Sequence, residues 1–551
     1  MIIYILIVLF TFLFYIPYLG TMPLFDWDEL NFAESAREML ITGDYFRVTV
    51  NFLPFWEKPP LFFWMQALSM KVFGVNEFGA RFPNVLAGAA TFSLIYHIGR
   101  KYYDSLFGIL WVLSFFGSFL PHLYFKTGII DPFFNLLIFS GIFFIFKALN
   151  TDPLLAGNEV KIQKWRTKNF LFSGLLIGTA ILTKGPAALL ITLLCAGAYY
   201  VLNGFRKYVK FKEILIFGTA VFCISFFWFG PETIINGFWF IQRFVMYQLE
   251  LAGTSQAGHG QPVYYHAVVL FFGCFPVSMI FLFGRVSGVQ EDGLKKNLNL
   301  WMAILFWTVF ILFSLITTKI LHYSSLCYLP MTYFAARKIR YIILQRQEMK
   351  ITRTAVLSLG AVFSAVFALL PYAASRMKDF AHLGKDEYIQ ESMKIQVNWE
   401  MYGSAAGIIL AAVIILYFIL SRKNQFLKAY AVLFLGTAFV FEFLLFYLVP
   451  KINEYTQAEL INFYREAGTK NAYLEVVGYK SYGYLFYSKK QPSARKEAYD
   501  KNWLLFGETD KDSYFSVKTG TGDMYRLSPG IKELYRKNGY IFMMRPAQKK
   551  E

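Results

Sequence analysis

IIDPFFNLLIFSGIFFIFKA, residues 129–148, carries an acid at its start, a lysine near its end and little else that water would hold. As a helix, twenty such residues cross a hydrocarbon core of about 30 Å. Comparable stretches recur through the first 450 positions. Of the 551 residues, 56% are hydrophobic, 20% aromatic and 16% charged, against about 25% charged in an ordinary soluble domain. Mean hydropathy is +0.43. A soluble globular enzyme, a disordered chain and a fibrous protein are excluded. The expected fold class is an all-α polytopic membrane protein with about thirteen transmembrane helices and a small C-terminal α/β domain.

The expected spans lie near 2–19, 80–99, 104–121, 129–148, 169–183, 187–203, 212–230, 263–284, 298–316, 323–340, 352–373, 403–420 and 427–449. The N-terminal run lacks a basic leading segment and a small-residue cleavage site, so it is read as a retained span. Net charge is +18, and its location matters more than its size. Basic residues cluster between spans, from Arg100–Lys101 through Lys161–Lys168, Arg206–Lys212, Arg285–Lys296 and Arg337–Arg353 to Arg422–Lys428. Lys and Arg hold such loops in the cytoplasm. The expected setting is therefore the inner (plasma) membrane, with the lipid bilayer as partner and no nucleic acid. Cys195, Cys223, Cys274 and Cys327 all fall within spans and form no CxxC pair, so they read as packing residues.

Two domains follow: a transmembrane domain over 1–450, with periplasmic segments 21–79 and 231–262, and a periplasmic soluble α/β domain over 451–551. In 21–79 we expect two helices along the membrane surface. The first is capped by Asp28, with Phe32, Ala33, Ala36, Met39 and Leu40 on its apolar face; the second starts after Pro59–Pro60. Segment 231–262 reads as a long loop. In the C-terminal domain AYLEVVGY, YGYLFYS and NWLLFGE read as strands, and 454–467 and 530–538 as helices.

Ionisable residues beside a bilayer are functional candidates by default. PLFDWDELNFAESAREML places Asp26, Asp28 and Glu29 where the first span ends, able to take a proton, hold a metal or simply favour a helix N-terminus. In FWEKPPLFFW, Lys58 can bind a lipid phosphate as a point charge or snorkel to the interface. Asp131 opens the fourth span beside Pro132, as a cavity acid or a cap.

Their order is more specific than each part. Asp-Glu-x₄-Ala-Glu-x₂-Arg-Glu-Met, then Glu-Lys-Pro-Pro-Leu-x₂-Trp, then Asp-Pro at the fourth span resembles one family over about the first 330 residues. That family is the GT-C-type membrane glycosyltransferases that move 4-amino-4-deoxy-L-arabinose from undecaprenyl phosphate to lipid A, with their protein O-mannosyltransferase relatives. The resemblance implies Asp28 and Asp131 as catalytic acids and Lys58 as phosphate ligand. It also implies Glu57 in a metal site and Lys319, His322 and Tyr323, from TTKILHYSSLCYLP, around phosphate or sugar. In QRFVMYQLELAGTSQAGHGQPVYYH, Arg243 is a further phosphate ligand and His259 the metal-ligand candidate beside Glu57. Asn31 departs from the arginine that lipid A-modifying members carry.

The activity so implied is an inverting glycosyltransferase, with Asp28 as base and the sugar leaving a polyprenyl-phosphate donor at the periplasmic face. The acceptor is an envelope glycolipid such as lipid A or lipopolysaccharide; protein Ser/Thr as in the mannosyltransferases, or an envelope polymer, stays open. A divalent metal, zinc or magnesium, is a candidate cofactor, and no nucleotide is expected. The rival class is a polytopic lipid or sugar transporter, which usually shows repeated halves and helices broken near the midplane. This sequence has no visible repeat, and its candidate charges lie in far-side loops.

Overall fold

The computed structural model describes residues 1–150, 158–205, 209–253, 260–286, 291–521, 525 and 530–548. Every expected span contains helix. Among the described residues six helices are long and apolar enough to cross a membrane: Asp131–Leu149, Phe211–Asn236, Gly293–Leu315, Lys350–Ser375, Met401–Arg422 and Phe426–Thr456. The chain is a multi-pass membrane protein. The span expected at 263–284 is instead two helices, Tyr265–Gly273 and Val277–Phe283, meeting at 111°. Pro276, lacking an N–H, stands at the break. The 104–121 stretch divides at Gly117, where a side chain would collide with Phe434.

The first far-side segment differs from a surface-lying amphipathic helix. Helix Asp28–Thr42 is buried on nearly every side from Glu29 to Met39. Its apolar residues meet the transmembrane core on one side, while Leu30, Ala33 and Ala36 join the C-terminal domain's core with Tyr464, Tyr484 and Phe486. Helix Leu61–Phe73 follows Pro60 as expected. Segment 231–262 is largely not a loop: the Phe211 helix runs to Asn236 and a second helix spans Trp239–Gly253. Residues 374–402 add a further wall, where the Tyr388 ring meets Tyr540 edge to face and shares a 2.9 Å hydroxyl contact with it.

The last spanning helix continues through Pro450 to Thr456, and helix Ala458–Gly468 follows it. After the two-residue strands β1 (Thr49–Val50) and β2 (Leu53–Pro54), the C-terminal domain holds β3 (Tyr473–Val477), β4 (Ser513–Lys518), β5 (Lys532–Lys537) and β6 (Tyr540–Arg545) in order β3-β4-β6-β5. Pairing β3–β4 is parallel and the others antiparallel. AYLEVVGY is the expected strand. YGYLFYS forms helix Gly483–Tyr487, because Tyr484 to Tyr487 are all buried and need no two-sided alternation. NWLLFGE forms helix Lys501–Phe506. The expected helix at 530–538 is β5, turned into β6 by Asn538-Gly539, both at positive φ, the strongest short hairpin signal.

One ion pair ties these parts together. The Arg81 guanidinium meets Glu29 at 2.9 and 2.8 Å and also donates to the carbonyls of Leu19, Met22 and Pro23. Glu29 accepts in turn from the backbone N–H groups of Phe25 and Gly128. Burial alone would raise the Glu29 carboxyl; the guanidinium and these donors more than offset it and hold the group below its ordinary range. Arg81→Ala strands a buried carboxylate, which costs about 3–5 kcal/mol. We expect a clear loss of thermal stability in detergent and proteolysis near residues 19–30, with partial recovery in Arg81→Ala/Glu29→Gln. Unchanged melting of the single variant contradicts this reading.

A second buried acid makes the seam pH-dependent. Glu38 is pushed up from 4.5 to about 8 by burial and by Glu34. Its Oε2 accepts from Thr49 and the Phe52 N–H, while Oε1 has no hydrogen-bond partner among the described residues. Between those two values the folded chain binds more protons than the unfolded one, so stability falls as pH rises through that window. Hydrogen exchange of residues 28–42 should therefore be faster at pH 8.5 than at pH 5.5, beyond the intrinsic rate change. Glu38→Gln should flatten the difference, and an unaltered pH profile in that variant would refute the assignment.

Candidate active site

Asp28 is the first residue of its helix. The N-cap position is Trp27, with no side-chain cap bond, so the Asp28 carboxylate is not used for capping as the sequence suggested. Asp131 opens helix Asp131–Leu149, followed by Pro132, whose missing N–H costs nothing there. Between them stands His322, from the short 3₁₀ helix Leu321–Cys327. Its Nε2 lies 3.5 Å from Asp28 Oδ2 and 3.6 Å from Asp131 Oδ2. Burial lowers the imidazole pKa, with Lys184 and Lys58 adding to this and Asp131 and Asp28 opposing it. A neutral imidazole donates through one nitrogen only, so it serves one carboxylate at a time.

Asp131 is also paired with a residue the sequence analysis passed over. Lys184 Nζ reaches Asp131 Oδ1 at 2.6 Å. Lys184 ends helix Glu159–Lys184, where a cation suits the helix dipole. Gly185 then turns the chain at φ +98° with the Phe244 ring against it, and Pro186 leads into the next helix. Thr-Lys-Gly-Pro at 183–186 is a stop followed by a start, and that punctuation could have placed Lys184 at a far-side helix end.

Lys58 has no ion pair among the described residues and lies 5.6 Å from the Tyr247 ring. Its pKa is lowered first by burial and then by Lys184, with Glu57, Asp28 and Asp131 partly restoring it. Glu57 Oε2 accepts from the Tyr247 hydroxyl at 2.6 Å. Tyr247 is carried by helix Trp239–Gly253, which packs on Trp56 through Trp239 and Phe240. The C-terminal domain supplies the roof. Trp27 Nε1 donates to the Lys480 carbonyl at 2.9 Å, and the Tyr482 N–H to Asp26 at 3.1 Å. Burial raises Asp26 to about 6 against the opposing pull of Ser481, the Tyr482 N–H and Lys480.

These groups enclose a cavity of about 850 Å³. Of the sequence candidates, Asp28, Glu57, Lys58, Asp131, His322 and Tyr323 line it. Lys319 does not: it is buried and donates to the Ile316 carbonyl at 2.7 Å. Arg243 is exposed on helix Trp239–Gly253 and does not line the cavity either. His259 lies outside the described residues. Lys184, Tyr247, Lys480 and Tyr482 line the cavity without having been singled out; for the last three no local signal exists, since distant segments bring them in. Among the described residues no three His, Cys, Asp or Glu side chains converge as metal ligands, and Glu57 is instead bonded to Tyr247. His259, the expected partner of Glu57, lies outside the described residues, and no chemical step is assigned to a metal. The arrangement offers one cation open to an anion, a second beside it, and a carboxylate–imidazole–carboxylate row for proton handling.

Comparisons with known proteins agree with this layout. Residues 57–229 match the family described as dolichyl-phosphate-mannose-protein mannosyltransferase. A protein of Aquifex aeolicus is 26% identical over 61% of this chain and 74% of its own length. The undecaprenyl phosphate-alpha-4-amino-4-deoxy-L-arabinose arabinosyl transferase of Wigglesworthia glossinidia brevipalpis is 24% identical over 62% of this chain. That match spans 59% of the transferase's length. Among solved structures, ArnT from Cupriavidus metallidurans bound to undecaprenyl phosphate shares the fold, with a TM-score of 0.74 and 15% identity over 98% of this chain and 97% of that one. The chain is thus similar in sequence to that mannosyltransferase family over residues 57–229 and to the arabinosyl transferase over 62% of its length, and it shares the ArnT fold.

Proposed function

We propose that the chain moves a sugar from a polyprenyl-phosphate carrier to an envelope acceptor, inverting the anomeric centre, at the periplasmic face of the inner membrane. The observation that carries this is the placement of Lys58 and Lys184 beside Asp28, His322 and Asp131 in one cavity. The relatives named as arabinosyl transferases and the ArnT complex with undecaprenyl phosphate support the choice of donor.

In this reading the donor phosphate sits between Lys58 and Lys184. An acceptor hydroxyl attacks C1 as the bond from C1 to the phosphate oxygen breaks, and its proton passes to Asp28. Negative charge grows on the departing phosphate, where preorganised cations stabilise the transition state most. Lys58 is free to receive that charge, while Lys184 is held in place by Asp131. His322 positions Asp28 through its Nε2. Lys184 takes the place that the sequence reading gave to Arg243. Aminoarabinose is the sugar the named relatives favour, and lipid A or a related lipopolysaccharide the acceptor.

Asp28→Asn keeps size and most hydrogen bonding but removes the base, whose contribution is typically 10²–10⁴-fold. Transfer by that variant should fall by about that factor while undecaprenyl-phosphate binding is retained. Lys58→Ala should weaken both binding and turnover, because its charge meets the phosphate in ground and transition states. Arg47, exposed and outside the cavity, is the control; Arg37 is unsuitable because it is bonded to Glu34 at 2.6 Å. Wild-type transfer in Asp28→Asn overturns the catalytic assignment, and unchanged lipid affinity in Lys58→Ala overturns the phosphate assignment.

A further inference from the structure

The far-side hairpin is held in an unusual shape. Val50 pairs with Leu53, leaving Asn51 and Phe52 as the two-residue turn, at φ +58° and +56°. Two positive φ values are the pattern of a type I′ turn; asparagine suits it, but a bulky residue such as Phe rarely adopts positive φ. The turn persists because Glu38 accepts from the Phe52 N–H and the Thr49 hydroxyl at 3.0 and 2.6 Å. What this fixes in place is the Asn51 carboxamide, whose Oδ1 is buried and has no hydrogen-bond partner among the described residues.

Asn51 lines a second cavity of about 290 Å³, near the ~300 Å³ lower end of small-molecule pockets and room for about one sugar ring. Its far wall is the C-terminal domain, through Tyr479, Lys480, Tyr482 and Lys501. Glu57, Lys480 and Tyr482 border both cavities, so the second adjoins the first. Its cations are already engaged. Lys501 donates to the Val476 carbonyl at 3.0 Å and stands 3.4 Å from Glu475. Lys480 lies over the Trp27 and Tyr482 rings, 5.1 and 5.4 Å from their centres. What remains is an acceptor oxygen in need of a donor between tyrosine rings, which suits an uncharged, hydroxyl-rich ring better than a polyanion.

We propose that this seam between the β1–β2 hairpin and the C-terminal domain is the acceptor subsite, binding a neutral sugar ring through Asn51 and thereby making the C-terminal domain the reader of the acceptor. This rests on the transferase reading of the main cavity and names the acceptor class as carbohydrate.

The test uses the full chain in lipid nanodiscs, with three probes: the β-1,6-linked N-acetylglucosamine disaccharide with and without phosphates, and a Ser/Thr peptide. Undecaprenyl phosphate binding is measured in parallel. Asn51→Gly removes the carboxamide while keeping positive φ accessible. We expect it to weaken disaccharide binding about tenfold and to leave undecaprenyl-phosphate affinity within about twofold. Phe52→Gly relieves the turn but keeps Asn51, and should bind the disaccharide as the wild type does; a matching loss there would assign the effect to the hairpin's shape and overturn the role of Asn51. Unchanged disaccharide affinity in Asn51→Gly, binding only of the phosphorylated disaccharide, or preference for the peptide overturns the proposal. Failure of the transferase reading shows separately, as a wild-type chain that does not bind undecaprenyl phosphate.

Discussion

The site depends on the buried pairing of Arg81 with Glu29. One guanidinium gathers the carbonyls of Leu19, Met22 and Pro23, and its carboxylate partner takes the N–H of Gly128. Three chain segments are thus held at one point: the end of the first helix, the start of helix Asp28–Thr42 and the approach to Asp131. Asp28 follows directly before Glu29, and Asp131 lies three residues after Gly128. Two acids distant in sequence are brought to the same imidazole because a fully satisfied ion pair leaves their backbones no other position. Such a pair adds little net stability against an apolar replacement; here its geometric consequence matters more than its energy.

Much of this was legible in the sequence, and the limits have physical causes. Apolar length and basic loops located helix in every expected span, since a bilayer admits few alternatives. Asp28, Lys58 and Asp131 were found because ionisable groups at membrane-facing ends stand out against so apolar a background, whereas His322 came from the family resemblance of TTKILHYSSLCYLP. Lys184 was passed over because it stands alone at the end of an apolar run, outside every basic cluster, although Gly185 and Pro186 mark its helix end. Tyr247, Lys480 and Tyr482 could not be read locally, because only tertiary docking brings them near Glu57 and Asp26. The C-terminal domain misled where aromatic-rich YGYLFYS met burial on all sides, and where Asn538-Gly539 was not taken as a hairpin turn.

The electrostatic layout separates two tasks. Lys184 is tied to Asp131, whereas Lys58 is flanked by acids without being bonded to one. A cation whose charge is disfavoured by burial gains most when an anion arrives, and within this cavity Lys58 is that cation. The roof from the C-terminal domain places Lys480 and Tyr482 over the same space. A domain that closes the cavity is also positioned to influence what enters it.

The most direct measurement is electron cryomicroscopy of the full chain with undecaprenyl phosphate in lipid nanodiscs. The account predicts phosphate density between the Nζ atoms of Lys58 and Lys184, within the cavity that holds Asp28 and His322, with the prenyl chain leaving toward the bilayer. Phosphate density at exposed Arg243, or at the opposite ends of the spanning helices, would contradict it.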